Sequence, residues 1–161
     1  MVDPAFPWAT LSLLLVTASF PFYVHGAYVV IDADPVTWRV LSYHLKVVFA
    51  GLALNTAPVL LWMAPRLPDQ FGGLSALHAF LGLQAYALLT FALTGIVRIV
   101  QVKRRYDLYH DPDPSVAVDD LHEDMGAWRK RLRAGVAGYV VFWILAWVVG
   151  LARYLIRYDL L

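Results

Sequence analysis

Three of the five histidines, His25, His44 and His78, fall inside or at the edge of long apolar runs. An ionisable ring is costly in hydrocarbon, so each is a functional candidate by default. His25 sits in "PFYVHGAYVV", which closes a run from Pro4 to Ile31 without a single Asp, Glu, Lys or Arg. Two imidazoles from adjacent helices are what a low-spin b-type haem requires, each ligating iron through one nitrogen. Depth favours that pairing. If the first helix meets the interface near Ile31, His25 lies six residues, about 9 Å, inside it. A second helix opening at Pro35 would put His44 nine residues, about 13 Å, inside the same interface. Helices joined by a short connection are usually neighbours. Gly26, Ala50 and Gly51 would leave space for a macrocycle, and Arg39 and Lys46 could meet its propionates. His25 and His44 are therefore the candidate metal ligands.

The bland alternative is that a transmembrane histidine hydrogen-bonds a carbonyl freed by Pro21, lines a water cavity or lies near a quinone. His78, three residues after Ser75 on the opposite side, cannot share iron with the other two and is read as a separate polar contact or cofactor-binding position. Met63 is the nearest prospective partner, and the two would be too few ligands for copper. His110 and His122 stand among acids between the third and fourth runs and read as solvated or salt-bridged.

The elements that must position these rings are four uncharged runs, Pro4–Ile31, Val47–Pro65, Gln70–Val97 and Ala134–Ala152. Roughly 20 apolar residues cross a hydrocarbon core of about 30 Å. The 161 residues are 60% hydrophobic and 16% charged, against about 25% charged in soluble domains. The expected fold is all-α: an integral bundle of four transmembrane helices, in the cell membrane, spanning about 5–31, 36–64, 75–101 and 133–156. A cytoplasmic loop with a short helix would occupy 102–132. No basic residue precedes Arg39, so the first run lacks a signal peptide's n-region and reads as a retained helix.

Short cytoplasmic loops collect Lys and Arg. Placing 102–132 inside puts 10 basic residues on the inner side, Arg39, Lys46, Arg98 and Arg133 included, and 3 (Arg66, Arg153, Arg157) outside, with both termini external. Asp34 and Pro35 are expected to cap the second helix and Ser75 the third, which could run on to Tyr109 before "HDPDPS" stops it. Asp120 and Glu123 resemble a capping box for the fourth. Pro21 and Pro58 should bend their helices. The small-residue pairs Ala134/Gly138 and Ala146/Gly150 should let the fourth helix approach a neighbour.

The chain has no cysteine, which excludes disulfides, thiolate metal sites and Cys-attached haem. It shows no nucleophilic triad, phosphate loop or metalloprotease motif, so no independent catalytic activity is expected. "WRKRLR" reads as an anchor to anionic lipid headgroups, not a nucleic-acid patch, and the aromatics as interfacial belts. A transporter would want acids within the spans, and there are none. Asp outnumbers Glu 11 to 1, a bias that salt adaptation or codon drift in a GC-rich prokaryote produces.

The segments "PFYVH", "VLSYHLKVVFAGLAL" and "LSALHAFLGLQAYALLTFALTG", within about residues 20–97, resemble a family of small prokaryotic membrane proteins linked to cytochrome oxidase assembly. That family is a helix bundle with histidines at comparable positions. His78 with its following "LG" also looks like the four-helix b-type cytochromes, but a di-haem wire needs two facing pairs and this chain has one pair plus a single. The whole chain, through "WRKRLRAGVAGYVVFWILAWVVGLARY", looks like four-span proteins that salt-loving archaea encode beside cytochrome bc genes. These resemblances imply an accessory or assembly protein partnered with cytochrome bc or oxidase subunits, with one haem b at most. The rival expectation is a purely structural subunit without cofactor.

Overall fold

The computed structural model describes residues 3–69, 71–113 and 115–160. Among them the chain is all helix and turn, with four segments long and apolar enough to cross a membrane: Phe6–Ile31, Trp38–Pro68, Gly73–Arg105 and Met125–Arg157. Large apolar side chains such as Leu14, Val24, Phe49, Leu61, Phe80 and Val141 face outward. In water such a surface would be an aggregation liability. In lipid it faces its own kind, while helices satisfy the backbone internally. This is the pattern of a multi-pass membrane protein.

The first span is two helices, α1 (Phe6–Ala18) and α2 (Phe20–Ile31), joined at Ser19. Pro21 has no N–H to offer the carbonyl of Thr17, so the ladder opens there, as its position predicts. Ser19 is wholly buried and its hydroxyl donates to the Val16 carbonyl at 2.6 Å. The second span is α3 (Trp38–Pro58), continued by a π-helical turn, Val59–Met63, and a 3-10 turn, Ala64–Asp69. The widened turn directly follows Pro58, where the missing donor must be absorbed. α4 (Gly73–Arg105) and α5 (Met125–Arg157) have 33 residues each, about 50 Å of helix, so both project beyond the hydrocarbon.

Several helix starts differ from the sequence expectation. α3 begins at Trp38, not Pro35, because Thr37 takes the extended conformation and its hydroxyl accepts from Val40 N–H at 3.5 Å. Gly72, not Ser75, precedes α4. Asp120 lies in a 3-10 turn, Val118–Leu121, so it forms no capping box, and α5 opens after Asp124. α4 stops at Arg105 instead of reaching Tyr109, since Asp107 adopts a left-handed conformation (φ 53°). The connection it starts folds back: the Tyr109 carbonyl accepts from Trp38 N–H at 2.8 Å. Met125, fully buried, packs with Val102 and Trp128 beneath it. Burial pushes the Tyr109 phenol's pKa up. His110 pairs with exposed Asp107 at 2.8 Å.

The helices form two tight pairs. α4 and α5 run against each other along glycines: a Cβ on Gly135 would lie 2.7 Å from Ala92 Cβ and 2.8 Å from the Leu88 carbonyl, and one on Gly95 2.6 Å from the Trp128 carbonyl. Of the expected small-residue contacts, Gly138 meets Leu88 and Gly150 meets His78; Ala146 is buried, but Ala134 is exposed. α2 and α3 form the other close contact, at Gly26 and Gly51. Between the pairs lies an aromatic layer, with Phe20 and Tyr23 against Trp143 at ring distances of 4.3 and 5.1 Å. The first and last described segments meet on one side, where Arg157 donates to Asp3 at 2.9 Å. The Ala5 N–H and the Arg157 guanidinium hold the Asp3 carboxyl below the usual carboxylate range.

Candidate functional site

The aromatic layer fills only part of the seam between the pairs. Towards the chain termini the seam opens into a cavity of about 820 Å³ walled by α1, α3, α4 and α5, within the size range of small-molecule sites. Most of its wall is aliphatic or aromatic, including Leu13, Val16, Leu60, Leu83 and Trp147.

Its floor is polar. Asn55 on α3 is 3% exposed. Its Oδ1 accepts from Trp143 Nε1–H at 3.1 Å, which fixes the amide orientation because an indole only donates. The amide nitrogen then faces the Tyr86 and Tyr139 hydroxyls at 3.4 and 3.5 Å. Thr56 and Tyr86 share a hydrogen bond at 3.0 Å, and Tyr139 donates to Tyr23 at 3.1 Å. These are long bonds for a site of such low polarity, and Asn55, Thr56 and Tyr86 all border open space.

The rim carries charge. Arg153 donates to His78 Nδ1 at 2.9 Å, so the ring proton sits on Nε2, packed at Gly150. Arg66 lies over the Trp62 ring, 3.2 Å from its centroid, and donates to the Trp62 carbonyl. Neither arginine pairs with a carboxylate among the described residues. The Tyr158 hydroxyl, also at the rim, is buried without a partner among the described residues. A buried unpaired O–H costs about 1–3 kcal/mol, and burial pushes its pKa up, so it stays a neutral donor.

The structure brings His25 and His44 to one level on the α2–α3 contact but gives each ring its own partner. His44 Nδ1 donates to the Gly26 carbonyl at 2.7 Å. His25 is exposed on the lipid side, with Nε2 3.0 Å from the Tyr43 hydroxyl. The space expected beside Gly26 and Gly51 is taken by close packing: added Cβ atoms would lie 2.8 Å from Val48 Cγ2 and 3.0 Å from Phe22 Cβ. No cluster of three or more His, Cys, Asp or Glu residues suited to a metal occurs among the described residues. His78 stands apart from the other two, at the cavity rim.

Asn55, Thr56, Tyr86, Arg153 and Tyr158 were not singled out from sequence. One signal was available: Asn55 is the only Asn in the chain, in the middle of an uncharged run. Comparisons with curated proteins and with solved structures each find no match. The family model that does match covers residues 6–159, the whole of the bundle just described, and the chain accordingly belongs to the family described as a domain of unknown function, DUF7321.

Proposed function

We propose that the protein is an accessory or assembly component of a respiratory quinol or cytochrome complex, and that its seam cavity holds a quinone-class ligand. The observation that carries the ligand reading is the polar floor of Asn55, Thr56 and Tyr86 at the end of an apolar cavity. A quinone has the matching form: a ring with two carbonyl acceptors and a hydrocarbon tail that remains among apolar walls. Tyr86 and the Asn55 amide supply donors for one carbonyl. The respiratory setting rests on the resemblance of the three histidine-bearing segments.

A single b-type haem on His25 and His44 is the second reading. One detail favours it: His44 donates Nδ1–H to a backbone carbonyl, the support that orients a ligating imidazole and leaves Nε2 free. It requires His25 to leave Tyr43 and the α2–α3 contact to widen. One purification tests both readings. Protein taken from its native membranes should release quinone on solvent extraction, and Tyr86→Phe with Thr56→Val should reduce that yield about tenfold, by loss of one or two hydrogen bonds. Absence of quinone from the wild type would overturn the leading reading. A reduced-minus-oxidised spectrum of the same sample, lost in His25→Ala and in His44→Ala, would establish the second; a colourless protein prepared with ample haem would end it.

Both termini and the cavity face the outside in this proposal, and the loop 106–124 faces the cytoplasm. The support is the ten-to-three distribution of basic residues. Because the chain lacks cysteine, Gly72→Cys and Ser115→Cys provide single labelling sites. An impermeant maleimide added to intact cells should modify Gly72→Cys and spare Ser115→Cys; the reverse pattern would invert the orientation.

A further inference from the structure

A second concavity lies at the other end of the α4–α5 pair and is independent of the seam cavity. It is a polar groove of about 320 Å³ lined by Thr94 and Arg98 of α4 and by Asp124, Ala127, Trp128 and Arg131 at the start of α5. Gly95 creates it: without a side chain there, α5 comes close enough to put Arg131 Cβ 3.4 Å from the position a Gly95 Cβ would take. Arg98 and Arg131 thus share one groove although 33 positions apart, and neither belongs to an ion pair among the described residues. Thr94 gives its hydroxyl proton to the Phe91 carbonyl, which leaves the two guanidinia and the Trp128 indole N–H as the groove's side-chain donors, and only the guanidinia carry charge. Asp124 offsets one of the two positive charges, and one remains.

The groove's depth identifies what it meets. The uncharged run of the third span ends at Val97, immediately before Arg98, and that of the fourth begins at Ala134, three positions after Arg131. Both arginines therefore stand at the edge of the hydrocarbon, where lipid phosphates lie. Guanidinium binds phosphate through paired, charge-assisted hydrogen bonds, and basic pockets between helices at this level suit anionic headgroups.

We infer that the Arg98–Arg131 groove is a binding site for the phosphodiester of an anionic phospholipid in the leaflet on the loop side. Full-length protein reconstituted in phosphatidylcholine vesicles doped with phosphatidylglycerol, then extracted in mild detergent, should retain phosphatidylglycerol above its share of the mixture. Arg98→Gln and Arg131→Gln should each lower that retention about tenfold, and Asp124→Asn should raise it. Arg105→Gln, an equal loss of charge outside the groove, should leave it unchanged. The gain in Asp124→Asn cannot arise from misfolding, so it separates the site from mere damage. Equal losses in Arg105→Gln and Arg98→Gln would reduce the effect to diffuse surface attraction and overturn the site. Displacement of the lipid by millimolar inorganic phosphate would overturn the lipid as its ligand in favour of a free phosphate.

Discussion

Gly135→Ala should destabilise the protein by about 1–3 kcal/mol or more, the cost of overpacking a filled contact. The added methyl would stand 2.7 Å from Ala92 Cβ and 2.8 Å from both Ala92 N and the Leu88 carbonyl. Two of those three neighbours are backbone, so no side chain can rotate away and α4 and α5 must move apart. Gly95→Ala should do the same through the Trp128 carbonyl at 2.6 Å. The double variant should cost less than the sum, because a helix pair already separated by one methyl has room for the second one turn away. Gly126→Ala is the control. Nothing lies within 4 Å of its added Cβ, and alanine's helix preference should leave stability unchanged or raised by up to about 1 kcal/mol. Thermal aggregation in detergent, followed for all four variants, measures these differences. A Gly135→Ala protein as stable as wild type would mean that α4 and α5 are not in contact there.

Asn55→Leu should cost stability and ligand together. The substitution leaves Trp143 Nε1–H without its acceptor in a site where water is scarce, at about 1–3 kcal/mol. It also removes the amide that faces Tyr86 and Tyr139. Asn55→Asp separates the two effects. Buried there, the acid stays neutral: it keeps a carbonyl acceptor for Trp143 and replaces two N–H donors with a single O–H, so binding should fall while the Trp143 contact survives. The change in indole emission that each Asn55 substitution causes, read in a background where the other five tryptophans are replaced by Phe, reports the Trp143 environment, and extractable quinone reports the site. If Asn55→Leu retained wild-type ligand and stability, the polar floor would have no part in binding.

The spans were legible because hydrocarbon tolerates so little charge: the four uncharged runs locate four helices directly. Pro21 and Pro58 also announced their irregularities, since a missing N–H acts locally. Helix starts were less legible. Asp34–Pro35 is a good cap in sequence, yet Thr37 supplies the cap, next to Trp38, whose N–H is drawn to the Tyr109 carbonyl 71 positions away. The cavity was invisible for a similar reason. It depends on which helices pair closely, and that is decided by Gly95 and Gly135 meeting the backbone of the opposite helix. Charge drew attention to histidines, whereas the cavity floor is built from neutral amide and hydroxyl groups that hydropathy hardly registers.

The two helix pairs have a consequence for how the chain is assembled in the bilayer. α4 and α5 contact each other through glycine and backbone and can dock as soon as both are inserted. The N-terminal three helices meet them through bulky rings and a few hydrogen bonds around Asn55. The molecule is thus two prefabricated hairpin-like blocks with a late joint between them. A ligand filling the joint, as proposed above, would take part in the final assembly step, and its concentration in the membrane would then shift how much of the mature form accumulates.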